Sequence, residues 1–303
     1  YGAAQTVYSG RGGAWVPPHP PIPAMFLGLA GVFPKLLGFF APHQQKKYRP
    51  PPPPPPGGGL GPAAPPGTVR RVVLTSSIAA IAHGHRTDAV RTEADWTVVE
   101  RSPAYQKSKT LAERAAWDFA AEHPEGPELT VVNPGMVLGP ALSTATSTSH
   151  EPVRMLLGRQ VPGSPRVGWA TVDVRDLALA HRLAMETPEA AGKRYICAGE
   201  HLWMRDLGRL LAEEFGPRGF RVPTRQLPDL LVRAIAVVDK TVRLTVPSLG
   251  QVERLSAERA ERELGWTMRP VRDSVRDTAE SLLRLGVVAM PAGARPLAEP
   301  AHA

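Results

Sequence analysis

The chain has 303 residues, enough to bury the core of one large α/β domain or of two small ones without disulfide bonds. Its single cysteine, Cys197, excludes an internal disulfide and any zinc site built from several thiolates, and we expect a cytoplasmic protein. The net charge of +8 is carried mostly by arginines scattered beside acidic residues, with few aromatic residues among them, so we expect no nucleic-acid binding.

The composition changes sharply near residue 67. Half of the 34 prolines lie before that point, including an unbroken run at residues 50–56 that three glycines follow. A proline run adopts the polyproline II conformation and donates no backbone hydrogen bond to a helix or a sheet. We therefore predict that residues 1–67 form a low-complexity, disordered segment.

One apolar stretch, residues 24–41, interrupts this segment and approaches the length of a membrane span. Pro34 and Lys35 fall in its middle, which argues against a membrane-crossing helix. The stretch also follows prolines rather than a compact basic region, so it does not read as a signal peptide. We do not expect it to anchor the chain in a membrane.

From residue 68 the pattern is that of a folded protein, which we predict to extend to residue 288. The β-branched run at residues 69–75 predicts a parallel strand buried on both faces. Ser102 and Pro103 offer an N-cap and a proline at the first helical position, and predict a helix to residue 122. Residues 129–133 predict a second buried strand, which completes one βαβ unit.

Further elements follow with no internal repeat. Strands are predicted at residues 169–174 and 193–198, and helices at residues 176–186, 204–215, 227–242, 256–264 and 271–285. The predicted fold class is therefore α/β: a partial Rossmann-type parallel sheet with a smaller, mostly helical substrate lobe built mainly after residue 140. Residues 289–303 are rich in proline and alanine and predict a frayed tail.

The residues with the clearest chemical potential are Ser76 and Ser77, at the end of the first strand, and Tyr105 and Lys109 on the following helix. A spacing of four places the tyrosine and the lysine on one helical face. A nearby ammonium favours the phenolate and lowers the pKa of a tyrosine, which otherwise titrates near pH 10. Such a tyrosine can move a proton, while a serine hydroxyl polarises a carbonyl and a nicotinamide moves a hydride.

The order of these motifs along the chain is more specific than the Tyr-x-x-x-Lys pair alone. After the serines come YQKSKTLAE at residues 105–113, NPGMVLGP at 133–140, TVDVRDLA at 171–178 and ELGW at 263–266. In this order the chain resembles the extended short-chain dehydrogenase/reductases, also called the NAD-dependent epimerase/dehydratase family. Within that family it looks closest to the dihydroflavonol reductase-like branch.

The resemblance implies a role for each matching residue. The catalytic serine of the family falls on Ser77, with Ser76 as the near alternative, the tyrosine on Tyr105, and the lysine on Lys109. Tyr105 and Lys109 would also contact the cofactor, NADP or NAD, because the family's lysine holds the nicotinamide ribose. The loop that lies against the nicotinamide ring falls on Pro134, Gly135, Met136 and Val137. The implied substrate is a small molecule with a carbonyl group.

The glycine-rich dinucleotide-binding start of the family is not visible. Residues 57–61 are glycine-rich, but a polyproline run precedes them and further prolines follow, so they do not read as a phosphate loop. Our hypothesis is that residues 1–67 are a mis-called or frame-shifted start fused to a reductase remainder. The first functional hypothesis is an NAD(P)-dependent reductase of a ketone or aldehyde that acts through Ser77, Tyr105 and Lys109, and that is inactive as given if the pyrophosphate-binding half is missing. A catalytically silent remnant or interaction protein, and a nucleotide-sugar epimerase or dehydratase, stay open as alternatives.

Other polar residues have a structural and a functional interpretation. His83 and His85 could be metal ligands, but no third ligand stands out, so we predict a solvated or substrate-facing loop and no metal site. Asp173 and Asp176 are interpreted as a strand-end and a helix-cap carboxylate, with catalysis as the alternative. Cys197 lies at a predicted strand end and is interpreted as an inert core thiol.

Overall fold

The computed structural model describes residues 69–145 and 147–294. The predicted disordered segment 1–67, with its apolar stretch and its proline run, lies outside the described residues. So do residues 295–303 of the predicted tail.

The described residues form an alternation of strands and helices. The strands are β1 Arg71–Thr75, β2 Glu128–Pro134, β3 Met136–Leu138, β4 Gly168–Asp173, β5 Arg194–Cys197 and β6 His201–Trp203. The helices are α1 Ala104–Glu122, α2 Glu151–Leu157, α3 Val174–Glu186, α4 Met204–Phe215, α5 Asp229–Val238, α6 Lys240–Arg243, α7 Glu258–Leu264 and α8 Val271–Arg284. None of these helices in the described part of the chain is long and apolar enough to cross a bilayer.

A parallel sheet in the order β1-β2-β5 lies at the centre of the fold. Successive side chains of β2 point to opposite faces, as the pleat of a strand requires. Val131 packs with Ala116 of α1, whereas Val132 packs with residues of α3 and α7. The sheet is thus covered on both faces, which is why β2 is apolar without alternation. The predicted α/β fold class is confirmed.

A second sheet in the order β3-β4-β6 follows directly from the first. β3 and β4 are parallel, whereas β4 and β6 are antiparallel. Gly135 joins β2 to β3, and a Cβ atom there would overlap the carbonyl oxygen of Ala170. The largest hydrophobic cluster of the described residues lies beyond this junction and packs α2, α4, α5 and α8 together.

Several predicted elements have different bounds in the structure. Ser102 does not cap α1, because its hydroxyl donates to the carbonyl of Val98 at 2.8 Å; the helix begins at Ala104 instead. Met136 and Val137, predicted as a loop, belong to a short strand paired with β4. The helix predicted at residues 227–242 is broken at Asp239, whose extended backbone ends α5. The short elements α2 and β6 were not predicted.

Candidate active site

Ser77 lies immediately after β1, where the chain leaves the sheet. The N–H of Ser76 still donates to the carbonyl of Val132 at 2.8 Å, and the chain then turns into a 3₁₀ helix at Ile78–Ala80. The Ser77 hydroxyl caps this turn by accepting from the N–H of Ala79 at 3.1 Å. The end of a parallel strand and a capped turn therefore fix the position of this hydroxyl.

Tyr105 lies in the first turn of α1, and a side-chain hydrogen bond joins it to Ser77. Half of the tyrosine, 50%, is exposed. Loss of water around the phenol raises its pKa above the usual value, while the hydrogen bond from Ser77 opposes this rise. The sequence argument expected Lys109 to lower this pKa. In the structure desolvation dominates, so Tyr105 is a neutral phenol and a proton donor at neutral pH.

Lys109 follows Tyr105 by one helical turn, about 6 Å along the axis of α1. Its side chain is half-buried, and this desolvation lowers the pKa of the ammonium. The structure therefore brings Ser77 and Tyr105 together and places Lys109 one turn further along α1. Ser76, the alternative to Ser77, is buried and points to Glu113 instead.

The four predicted cofactor-loop residues lie where the two sheets meet. Pro134 ends β2 and is buried, whereas Gly135, Met136 and Val137 are partly exposed. The Gly135 N–H donates to the carbonyl of Cys197 at 3.2 Å, which holds the junction against the end of β5. Their use in cofactor binding stays a prediction.

A buried polar network behind the site was missed by the sequence analysis. Its centre is Glu113 of α1, which pairs with Arg194 of β5 at 2.6 Å. Asn133 of β2 donates to Glu113 at 2.7 Å and to the carbonyl of Ser77 at 3.2 Å. The spacing Tyr105, Lys109, Glu113 places all three on one helical face, and that periodicity was the available signal.

His83 and His85, predicted to lie in a solvated or substrate-facing loop, are both partly buried. His85 Nε2 lies 2.7 Å from the carbonyl oxygen of Ile81, and His83 Nε2 lies 3.5 Å from a carboxylate oxygen of Glu253. Burial lowers the pKa of His83 to about 4, and the charge of His85 acts in the same direction. The two histidines therefore have separate partners within the fold.

Asp173 ends β4 as expected and is also the cap of the next helix, whereas Asp176, predicted as the helix cap, lies inside the first turn of α3. Asp173 is the N-cap of α3 and binds the guanidinium of Arg175 at 2.9 Å. Burial opposes ionisation of Asp173, but the hydrogen bonds from Arg175 outweigh it and lower the pKa. Asp176 binds Arg269 at 2.7 Å. Arg269 Nε also lies 3.7 Å from Asp173 Oδ1, so both carboxylates connect α3 to the segment before α8.

The sequence is similar to the sequences of known reductases. No family model matches the sequence. Cinnamoyl-CoA reductase 1 of Petunia hybrida is 32% identical over 235 residues, which cover 76% of this chain and 64% of the relative. The ketoreductase azaE of Aspergillus niger is 30% identical over 230 residues, covering 71% and 63%.

The fold is also similar to that of a reductase of known structure. Yeast methylglyoxal/isovaleraldehyde reductase Gre2, complexed with NADPH, matches 72% of this chain and 65% of its own, with 27% identity and a TM-score of 0.56. These homologues are reductases of the extended short-chain dehydrogenase/reductase type. The cinnamoyl-CoA reductases among the homologues are of the dihydroflavonol reductase-like branch. The chain spans less than two thirds of the length of each of these three proteins.

Proposed function

We propose that this protein reduces a ketone or aldehyde carbonyl of a small molecule, with NADP or NAD as cofactor. The observation that carries the proposal is the hydrogen bond between Ser77 and a half-exposed Tyr105, one turn from Lys109. Two hydroxyls within reach of one another can both contact a single substrate oxygen. The names of the relatives, which reduce aldehydes or thioesters of coenzyme A, support this class of substrate.

Each residue contributes a separate step. The Ser77 hydroxyl donates a hydrogen bond to the substrate carbonyl and polarises it. The Tyr105 phenol transfers its proton to the same oxygen as negative charge develops there. The Lys109 ammonium favours the phenolate that this transfer leaves behind. A bound nicotinamide would supply the hydride.

The residues present fit the nicotinamide end of such a cofactor. Tyr105 and Lys109 are partly open to solvent, and Pro134 to Val137 lie at the same end of the sheet. The Oδ1 atom of Asn133, next to Pro134, is buried without a partner among the described residues, so an acceptor is available beside this loop. No glycine-rich turn between a strand and a helix occurs within residues 69–145 or 147–294, so a pyrophosphate cradle is not part of this region.

The experiment measures cofactor binding and turnover separately. We expect weak NADPH binding by the chain itself, seen as a small blue shift of NADPH fluorescence. We expect NADPH-dependent reduction of an aldehyde, a ketone or an aromatic coenzyme A thioester once the chain is joined to a glycine-rich dinucleotide-binding half. A joined chain that binds NADPH tightly but reduces none of these three would contradict the proposal.

A second candidate is a catalytically silent interaction protein. It is favoured by β1, which pairs only with β2 among the described residues and so leaves one edge of the parallel sheet open. This candidate predicts a joined chain without turnover, whatever its NADPH affinity. The cytoplasmic location expected from cysteine usage stays a prediction.

A further inference from the structure

Glu113 is a carboxylate buried in the middle of α1, with a side chain that is 0% exposed. It follows Tyr105 by two helical turns and Lys109 by one. A buried carboxylate is costly unless hydrogen bonds and an opposite charge compensate for the water that it loses. The hydrogen-bond partners of Glu113 therefore show which parts of the fold it connects.

Both carboxylate oxygens are fully engaged, each by two donors. Oε2 accepts from the Ser76 hydroxyl and from Asn133 Nδ2, the latter at 2.7 Å. Oε1 accepts from Arg194 Nε at 2.6 Å and from the indole N–H of Trp117 at 3.4 Å. Glutamine at this position would replace one of these oxygens with an NH₂ group that faces donors.

The partners on Oε2 belong to the strand ends that form the candidate active site. Ser76 is the residue before Ser77, and Asn133 also donates to the Ser77 carbonyl at 3.2 Å. The helix that carries Glu113 also carries Tyr105 and Lys109. One carboxylate thus connects α1 to the end of β1 directly, through Ser76, and indirectly, through Asn133.

Arg194 extends this connection to β5, at the other edge of the sheet from β1. Its Nη1 donates to the carbonyls of Glu93 and Asp95, each at 2.9 Å, and its guanidinium lies 3.8 Å from the ring centroid of Trp96. The charge that compensates Glu113 is therefore itself fixed by the segment that precedes α1. The carboxylate cannot easily move without its partners.

We propose that Glu113 is a positioning residue for this site: by holding the Ser76–Ser77 strand end against α1, it sets the spacing between the Ser77 hydroxyl and the Tyr105 phenol. This role rests on the proposed carbonyl reduction, in which both hydroxyls must reach one substrate oxygen. Catalytic groups need their geometry held to roughly 0.5 Å, and supporting hydrogen bonds provide this precision.

If the role of Glu113 were purely structural, it would stabilise the fold without setting the geometry of the active site. The two roles differ in what happens to the Ser77–Tyr105 hydrogen bond when the protein stays folded. The full chain is labelled with ¹³C at the ζ carbon of tyrosine and studied by NMR at neutral pH, without cofactor or substrate. The chemical shift of the Tyr105 signal then reports the hydrogen bond to Ser77. The signal of Tyr105 is identified by its absence in Tyr105→Phe, and Ser77→Ala shows its position when the bond is lost.

We expect Glu113→Gln to move the Tyr105 signal most of the way to its position in Ser77→Ala, and Ser76→Ala to move it part of the way. Adding Ser77→Ala to either variant should bring the signal to its position in Ser77→Ala alone and no further, because all three changes act on one hydrogen bond. Glu122→Gln makes the same substitution at an exposed position of α1 and should leave the signal unmoved.

A folded Glu113→Gln or Ser76→Ala protein with the wild-type Tyr105 signal would overturn the proposal. If Glu113→Gln does not fold, the Ser76→Ala result decides alone, since that change removes only one hydroxyl. Failure of the proposed function would look different: the joined chain would lack reductase activity while the signals still shifted together.

Discussion

The Glu253 carboxylate lies 3.5 Å from His83 Nε2, and both groups are largely removed from water. Burial raises the pKa of Glu253 to about 7, although the N–H of Ala170 at 2.7 Å partly offsets this effect. Burial also lowers the pKa of His83 to about 4. Near pH 5.5 the contact therefore joins a protonated carboxyl to a neutral imidazole, and it is not an ion pair.

Glu253→Gln should stabilise the protein above pH 7 and leave its stability nearly unchanged near pH 4.5. The folded state binds the Glu253 proton more tightly than the unfolded state, whose carboxyl titrates near 4.5. Wild-type stability from this group is therefore lost as the pH rises from about 4.5 through 7. Glutamine still accepts from Ala170 but never carries a charge, so its advantage should grow over this window by up to about 3 kcal/mol.

Urea unfolding at several pH values measures this difference. His83 and His201 act in the opposite direction, since the pKa of each is lowered by burial to about 4 and stability is lost as the pH falls below about 6.5. Both histidines are present in the wild type and in the variant, so their contribution largely cancels in the comparison. A difference that does not change with pH would rule out a buried, titrating Glu253.

Tyr105→Phe should nearly abolish carbonyl reduction in the chain joined to a dinucleotide-binding half, with little effect on NADPH affinity. The phenol supplies a proton in the transition state, and general acid catalysis is typically worth roughly 10²–10⁴-fold in kcat. Lys109→Ala should reduce both kcat and cofactor affinity, and Ser77→Ala should cost less than either. Steady-state kinetics and NADPH titration check these effects. If the Tyr105→Phe protein keeps most of its activity, Tyr105 is not the general acid.

Gly135→Ala should destabilise the junction between the two sheets. The added methyl group would overlap the carbonyl oxygen of Ala170, which is backbone and cannot move away alone, so a loss of about 1–3 kcal/mol is expected. Gly216→Ala is the matched control, because its backbone is right-handed helical and no atom lies within 4 Å of the added Cβ. Denaturant unfolding compares the two. Equal losses of stability in both variants would show that the contact with Ala170 does not cause the destabilisation.

Polar substitutions on the outer face of α5 should reduce binding of hydrophobic dyes without loss of stability. Leu230 is 79% exposed and Val238 is 86% exposed, so glutamine at both positions removes apolar surface and leaves the packing intact. We expect the free energy of unfolding to stay within about 0.5 kcal/mol of the wild type for each change. Val232→Gln, on the buried face of the same helix, should destabilise the protein instead. Dye fluorescence that is unchanged in the double variant would place the exposed apolar surface elsewhere.

The strands of the parallel sheet were predictable because their signal is local. Val72, Val73, Val131 and Val132 are β-branched residues within short apolar runs, which predict strands of a parallel sheet. β2 is buried as expected, whereas β1, predicted to be buried on both faces, lies at the edge of the sheet and is only partly buried. The break at Asp239 was not recognised, although its cause is also local. The Asp239 carboxylate accepts from the N–H of Val242 at 3.1 Å and thereby begins α6 where a continuous helix was predicted.

The network around Glu113 could not be read from the sequence in the same way. Arg194 is 81 residues away from Glu113 along the chain, and only the parallel pairing of β2 with β5 brings them together. The positions of Ser77 and Tyr105 were predictable, because one strand end and one helix start fix them. The hydrogen bonds that hold those two elements together come from distant parts of the chain.

Cys197, at the end of β5, is fully buried, and loss of water raises the pKa of its thiol. A buried neutral thiol reacts with alkylating reagents only when the surrounding structure opens. Because it is the only cysteine of the chain, every labelled molecule is one in which the structure around the end of β5, at one edge of the parallel sheet, has opened. The rate of Cys197 alkylation under native conditions therefore measures how often this opening occurs. No cysteine has to be introduced for the measurement.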